Sequence, residues 1–458
     1  MEIMHECCCG LDVHKQLVVG CVVNVTPSGE RQKETRSFTT MTAGILALAD
    51  WLTAAGCTQV ARESTGVYWK PIWNLLAGRF EVLLVNAQHI KAAPGRKTDV
   101  RDAEWIADLL QHGLVRPSFV PPRPQRELRE LTRSRTTLLA ERARVINRLQ
   151  KVLEDTNLKL SAVATTIVGL CARAMLAAVL EGETNPQALV SRGKLRAKRA
   201  QLEQALVGQV GAQQRFVLNS QWAHIDFVDE QVAQCDAQIE RLIIEESAGD
   251  APSSASPTSD GVTRHDDAHP SSTASTALEQ VKGAPPLSLP LSFQQAVWLL
   301  DTLPGVNGRI AQIIVAEVGV EMQRFPSAGH RASWVGICPG NHQSAGKQVT
   351  GRTRKGDRWL RQALIEAAHG AMRTKDTYLR AQGQRLTRRR GKKRAVVAVA
   401  HSLLIMAYHL LQRREPYQDR GSNYFDERER GAIARQSVRR LERLGFQVTL
   451  HTAEADLA

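Results

Sequence analysis

Aromatic side chains are scarce in these 458 residues, at 5% of the chain, and long apolar runs are scarcer still. The longest such run, 395–411, is Ala-rich and interrupted by His401, Ser402 and His409. A spanning helix takes about 20 predominantly apolar residues, so this segment reads as a buried helix and no membrane partner is expected. Metal-binding cysteine pairs are missing too: there are eight cysteines, three of them consecutive at Cys7, Cys8 and Cys9, and none has zinc-ligand spacing. Adjacent cysteines cannot make a disulfide framework; they read as small apolar residues of a buried strand in a reducing, cytoplasmic setting. The first nine residues carry His5 and two glutamates, which is not a signal-peptide pattern. A Walker A loop is absent, because Gly346-Lys347 lacks both the upstream glycine and the following Ser/Thr.

Positive charge, by contrast, is abundant: 60 Lys+Arg against 46 Asp+Glu leave +14. Between 352 and 394, fifteen Lys/Arg face only Asp357, Glu366 and Asp376, so nearly all of the net charge sits in 43 residues. That is the footprint of a phosphate-binding surface, with a solvated helix face as the alternative. The candidate contacts are Lys347, Arg352, Arg354, Lys355, Arg358, Arg388, Arg389, Arg390, Lys392 and Lys393.

Patterning predicts strands over 5–40 broken at Thr26-Pro27-Ser28-Gly29, then a helix over 42–54 with Thr42 as N-cap. A strand at 58–63, a helix at 68–76, a strand at 81–85 and a helix at 102–111 follow. Strands in a meander, then alternating with helices, imply a mixed sheet in an α/β domain, closing at the proline cluster Pro117, Pro121, Pro122 and Pro124. Helical spacing returns over 127–154 and, Ala/Leu-rich, over 161–210. Ile225, Val228, Val232, Cys235, Ile239 and Leu242 step by three and four, a seam of about two and a half heptads. It suits a helical hairpin, a dimerisation stalk or an ordinary buried face. Residues 247–290 are Ser, Ala, Thr, Pro, Asp and Gly with little to bury, and read as a disordered linker. Helical patterns resume over 293–411, and the charged remainder, 412–458, reads as peripheral.

Four carboxylates are placed for chemistry. Asp12 follows the first apolar strand, Glu63 ends another, and Asp99 and Asp102 sit three apart at a helix start, on one face. Hard cations such as Mg²⁺ take oxygen ligands, and phosphodiester chemistry often uses two metals about 4 Å apart. Each acid singly also reads as a cap or turn residue. Leu303-Pro304-Gly305-Val306-Asn307-Gly308 joins two helical segments; it reads either as a helix–hairpin–helix element presenting amides to a phosphate, through Gly305 and Gly308, or as a tight interhelical turn. Ser344 lies in a small-residue loop flanked by cations and entering a helix over 359–372. A serine needs an activating base or metal to attack, and by itself this loop does not establish one.

Taken together, Gly10-Leu11-Asp12-Val13-His14-Lys15, Glu63-Ser64-Thr65-Gly66 and Gly95-Arg96-Lys97-Thr98-Asp99-Val100-Arg101-Asp102-Ala103-Glu104-Trp105 carry a resemblance that Pro304-Gly305-Val306, Ser344-Ala345-Gly346-Lys347 and Gly351-Arg352-Thr353-Arg354-Lys355-Gly356 complete. The chain resembles the DEDD insertion-sequence transposases of the "one-ten" family, "eleven-eleven" subgroup. The resemblance covers nearly the whole chain except the linker. It implies an RNase H-like (RuvC-like) domain over 1–122 whose Asp12, Glu63, Asp99 and Asp102 bind Mg²⁺. It further implies a C-terminal transposase domain, here mainly α over 292–415; the residue patterns place a helical, coiled-coil region over 123–246, the linker over 247–291 and a charged tail over 416–458. The serine matched by Ser344 would attack a DNA phosphodiester and become transiently linked to it. Donor and target DNA, a bridge RNA and a homo-oligomer, dimer or tetramer, are the implied partners. The alternatives are a RuvC-like nuclease or junction resolvase, with the same acids and water as nucleophile, and a non-catalytic nucleic-acid-binding protein.

Overall fold

The computed structural model describes residues 3–26, 28–63, 66, 68–85, 99–193, 199–249, 291–339, 342–344, 347–350, 353 and 355–450. Of residues 99, 248, 249, 342–344 and 347–350 it describes the backbone alone. The expected linker lies outside the described residues except at its start. There the preceding helix continues to Gly249, with Ser247 donating to the Ile243 carbonyl at 2.7 Å.

The first compact unit runs to Pro121. Strand β1 (Cys7–Val13) is central: β2 (Leu17–Val25) pairs with it antiparallel and β4 (Gln59–Glu63) parallel. With β3 (Arg31–Thr39) outside β2 and β5 (Glu81–Val85) outside β4, the order is β3-β2-β1-β4-β5. Alternate residues of a strand face opposite ways, and both faces of β1 are covered, which is why its sequence is apolar apart from Asp12 near its end. Cys9, Leu11 and Val13 pack with Ile45 and Leu48 of α1 (Thr42–Ala54) and Ile72 of α2 (Trp69–Leu76). On the other face Cys8 packs with Ile106 and Leu110 of α3 (Asp99–Gln111). Gly10 admits that helix, since a Cβ there would lie 2.3 Å from the Ala103 carbonyl oxygen. The buried reading of Cys8 and Cys9 holds, and Cys7 is half-buried. The expected cap at Thr42 does not: the chain enters through Met41, which occupies the N-cap without a side-chain bond, and Thr42 is already helical. Edge strand β3 is polar, as an unpaired edge favours, and its Arg31 and Lys33 reach Asp108 of α3 at 2.5 and 2.8 Å.

The second unit begins at Pro122. Helix α4 (Arg123–Asp155) opens four residues before the expected start, because proline is tolerated in a first turn. It pairs antiparallel with the long helix that ends at Gly249. Arg135–Asp236 and Arg142–Asp229 are ion pairs, and the partner number falls as the first rises. Between these two long helices the chain makes α5 (Leu160–Val163), α6 (Leu170–Glu181), α7 (Pro186–Arg192) and α8 (Arg199–Ala205), the long partner being α9 (Ala212–Gly249). Ile225 joins Val145 and Leu149 in one core, and Ile239 joins Leu128 in another. The seam spaced by threes and fours is therefore the inner face of an intramolecular hairpin.

The second of those cores gathers α10 (Phe293–Asp301), α11 (Gly308–Val318), α12 (Ala328–Val335), α13 (Arg358–Ala371), α14 (Tyr378–Arg390) and α15 (Lys392–Arg413). By length and composition α15 is apolar enough to cross a membrane, yet Val399, Leu403, Leu404 and Ala407 pack in this core, as expected of a buried helix. Helices α16 (Tyr424–Arg428) and α17 (Arg430–Glu442) bury no residue.

Candidate active site and nucleic-acid interface

All four predicted acids come from two adjacent parallel strands and the helix over them. The β1–β4 register runs as far as Leu11 opposite Arg62, so Asp12 and Glu63 are the next step at the same C-terminal edge. Ala61, two residues before Glu63, packs with Ile106 and Leu110, so Glu63 faces α3 by alternation. Asp12 faces it too, two residues after Gly10. Along α3, Ala107 lies over Cys8 and Ala103 over Gly10, so Asp102 and Asp99 extend towards Asp12. Asp12, Glu63, Asp102 and the first residue of α3 thus gather at one edge of the sheet. The side chain of Asp99 lies outside the described residues, and among the described ones no group of three or more His, Cys, Asp or Glu is spaced to hold a metal ion. The donor chemistry nonetheless suits Mg²⁺: carboxylate oxygens at strand and helix ends, Asp12 with a side chain only 13% exposed.

Two neighbours of these acids escaped the sequence reading. His14 Nε2 lies 3.1 Å from Asp12 Oδ2. Arg62, 1% exposed, donates to the Glu63 carbonyl at 2.8 and 3.1 Å and to the Tyr68 carbonyl at 3.3 Å, pinning the chain where it leaves β4. Burial lowers the Arg62 guanidinium to about 10 against the opposing pull of Asp12 and Glu63. Its only signal was an arginine inside an apolar strand.

Ser344 was expected in a loop. It closes β6 (His342–Ser344) and stands opposite Lys347, the first residue of β7 (Lys347–Thr350), in an antiparallel pair. Only Ala345 and Gly346 separate the strands, a hairpin spacing. The side chains of Ser344 and Lys347, and Arg352 and Arg354 altogether, lie outside the described residues. The hairpin leads into α13, whose N-cap Asp357 accepts from the amides of Trp359 and Leu360 at 2.8 and 2.9 Å. Arg361 donates back to the Gly336 carbonyl at 3.2 Å and to Thr353 Oγ1 at 3.0 Å. Arg133 of α4 lies 3.6 Å from Asp357 and forms a two-pronged pair with Glu317 at 2.7 and 2.8 Å. Glu317, 2% exposed, also meets Arg129 at 3.1 Å; burial pushes its carboxyl up to about 7 despite the arginines.

Among the nucleic-acid candidates, Gly305 is explained by packing, with φ +82° and α13 directly against it. Gly308 opens α11 in free space, and Asn307 caps that helix through the Ile310 amide at 3.0 Å. Lys355 and Arg358 are exposed, Arg358 lying 4.4 Å over the Trp359 ring. Arg388, Arg389, Arg390, Lys392 and Lys393 are all exposed where α14 turns into α15.

Residues 9–158 match a transposase family of the DEDD IS110 type, and residues 298–384 match the transposase family IS116/IS110/IS902. The chain belongs to the IS110 family of transposases. The first matched segment contains Asp12, Glu63, Asp99 and Asp102, and the second contains Ser344. The chain is also similar to the transposase for insertion sequence element IS1111A of Coxiella burnetii (strain RSA 493 / Nine Mile phase I). The two are 31% identical over 127 residues, 26% of this chain and 34% of that protein. The match therefore spans about a third of the relative's length.

Proposed function

We propose that this transposase-family chain is a DNA recombinase that cuts and rejoins donor and target DNA through a serine–phosphate intermediate. The reading is carried by the gathering of Asp12, Glu63, Asp102 and the start of α3 at one sheet edge. A strand order of two antiparallel partners followed by two parallel ones supports an RNase H-like fold for that unit. Asp12, Glu63, Asp99 and Asp102 would hold Mg²⁺, which when bound polarises a phosphodiester. The Ser344 hydroxyl attacks phosphorus as the P–O bond to the departing strand end breaks, and the proton lost by serine is matched by the one that the departing oxygen takes up as a hydroxyl. A second DNA hydroxyl then attacks the serine ester, restoring the phosphodiester and returning the serine. Lys347, Arg352 and Arg354 would neutralise charge on the phosphate. A bridge RNA pairing with both DNAs, and a dimer or tetramer that combines acids and serines of different protomers, complete the proposal.

The test is a denaturing gel of labelled DNA incubated with the chain and Mg²⁺. A protein–DNA adduct is expected, and Ser344→Ala abolishes it together with recombinant product while binding persists. Cleavage without any adduct would favour the resolvase reading, with water as nucleophile. An adduct that survives in Ser344→Ala would move the nucleophile elsewhere, Ser333 being the next to try.

A further inference from the structure

The helical unit contains a cavity of about 740 Å³ between α15 and the chain that leaves it. Four rings line it, those of Tyr378, His401, His409 and Tyr417, together with the exposed Arg413 and Arg420. Its size falls within the range of roughly 300–1,000 Å³ usual for small-molecule sites. A second cavity, of about 570 Å³, is lined by Arg380, Arg385, Arg388 and Arg389. One aromatic cluster serves both. Tyr378, in the wall of the first, stacks at 5.1 Å and 21° on Phe425, in the wall of the second, while Tyr424 meets both rings edge-on.

The polar groups around the rings are arranged unequally. Asp419, though exposed, is engaged by its neighbours, accepting from the Tyr378 and Gly421 amides at 3.0 and 2.7 Å and from the Tyr417 hydroxyl at 3.0 Å. His409 Nδ1 is buried with no hydrogen-bond partner among the described residues, a state that folded proteins seldom leave uncompensated. Burial pushes the His401 imidazole below its ordinary range, which favours the uncharged ring. In the second cavity Arg385 is engaged by Glu429 at 2.5 Å, leaving Arg380, Arg388 and Arg389 as the cations facing Asp376 and Asp426.

We propose that the two cavities form one site for an unpaired strand of nucleic acid. Its phosphates follow Arg380, Arg388 and Arg389, and one unstacked base enters among Tyr378, His401, His409 and Tyr417. Aromatic platforms beside a basic groove are how single strands are held without regard to sequence. A duplex, whose bases are stacked inward, offers no such ring. The inference rests on the reading that the chain acts on nucleic acid.

The experiment titrates the full chain onto short labelled single strands of RNA and of DNA of one sequence, and onto a DNA duplex. In His401→Ala/His409→Ala, single-strand affinity is expected to fall about tenfold, the worth of one stacked base, with duplex affinity unchanged. A single strand carrying 5-iodouracil, irradiated on the unsubstituted chain, is expected to cross-link to Tyr378, His409 or Tyr417. The tighter of the RNA and DNA arms names the strand. Unaltered single-strand affinity in the double variant, or cross-links mapping only elsewhere, overturns the inference while duplex binding keeps the wider reading intact. If the variant loses both affinities together, the cross-link decides. Binding of neither single strand nor duplex by the unsubstituted chain sinks both.

Discussion

A Cβ placed on Gly305 would lie 2.2 Å from the backbone nitrogen of Ala371, and Gly305 holds φ +82°. The turn between α10 and α11 therefore sits directly on the backbone of α13, whose Ala367 and Ala371 are fully buried. Gly305→Ala has to move a helix and adopt a left-handed conformation at once. A loss of about 3 kcal/mol is expected, from overpacking and an unfavourable φ, read as a shift in denaturant midpoint. A loss below about 0.5 kcal/mol, within the range of an ordinary surface change, would mean that the turn does not need glycine for packing.

Glu317 makes the stability of the helical unit depend on pH. Its folded carboxyl is raised from 4.5 to about 7, with burial the largest cause. Between those values the folded chain binds the proton more tightly than the unfolded chain does. Stability is thus fully supported below about 4.5, falls as pH rises, and levels off above about 7. Glu317→Gln, neutral at every pH, is expected to flatten this fall in melting temperature. An undiminished slope in that variant would assign the dependence to another group.

The acids at the sheet edge predict a different signature. Alanine at Asp12, Glu63, Asp99 or Asp102 is expected to abolish strand cleavage in Mg²⁺ while nucleic-acid binding persists, because the charge they remove is negative. Full cleavage by Asp99→Ala/Asp102→Ala would end the metal-site reading. Arg62→Ala is expected to impair cleavage and stability together, since its guanidinium holds the Glu63 and Tyr68 carbonyls.

The strands and most helices were legible because their burial is periodic: β5 and α1 have the predicted bounds, and β4 begins one residue late. The places of Asp12, Glu63, Asp99 and Asp102 on strands and at a helix start were legible because these are local patterns, whereas their metal-binding role is a proposal. Arg62 and Glu317 were not. A buried charge is rescued by partners distant in sequence, and Glu317 finds Arg133 184 residues away. The hairpin at Ser344 was missed because His342-Gln343-Ser344 and Lys347-Gln348-Val349-Thr350 carry no apolar alternation to announce strands. The antiparallel hairpin of α4 and α9 was left open because a short heptad seam serves an internal partner as well as a second chain.

The basic run between 352 and 394 separates into cations that hold the protein together and cations that face outward. Arg361 is committed to the Gly336 carbonyl and Thr353, and Arg385 to Glu429. Arg388, Arg389, Arg390, Lys392 and Lys393 are exposed at one corner of the helical unit, flanking Gly391 with its φ of +81°. Counterion release makes each phosphate contact visible as salt dependence, roughly 0.9 in the log–log slope for duplex DNA. Neutralising these five is therefore expected to flatten the slope by up to that amount per contact made. Arg361→Ala is expected instead to lower the melting temperature with the slope little changed, because its guanidinium is engaged inside the fold. Binding titrations across a series of salt concentrations separate the two. A slope that stays constant when all five are replaced would make the corner a solvated surface, and phosphate binding would then have to be sought on Lys355 and Arg358 at the start of α13.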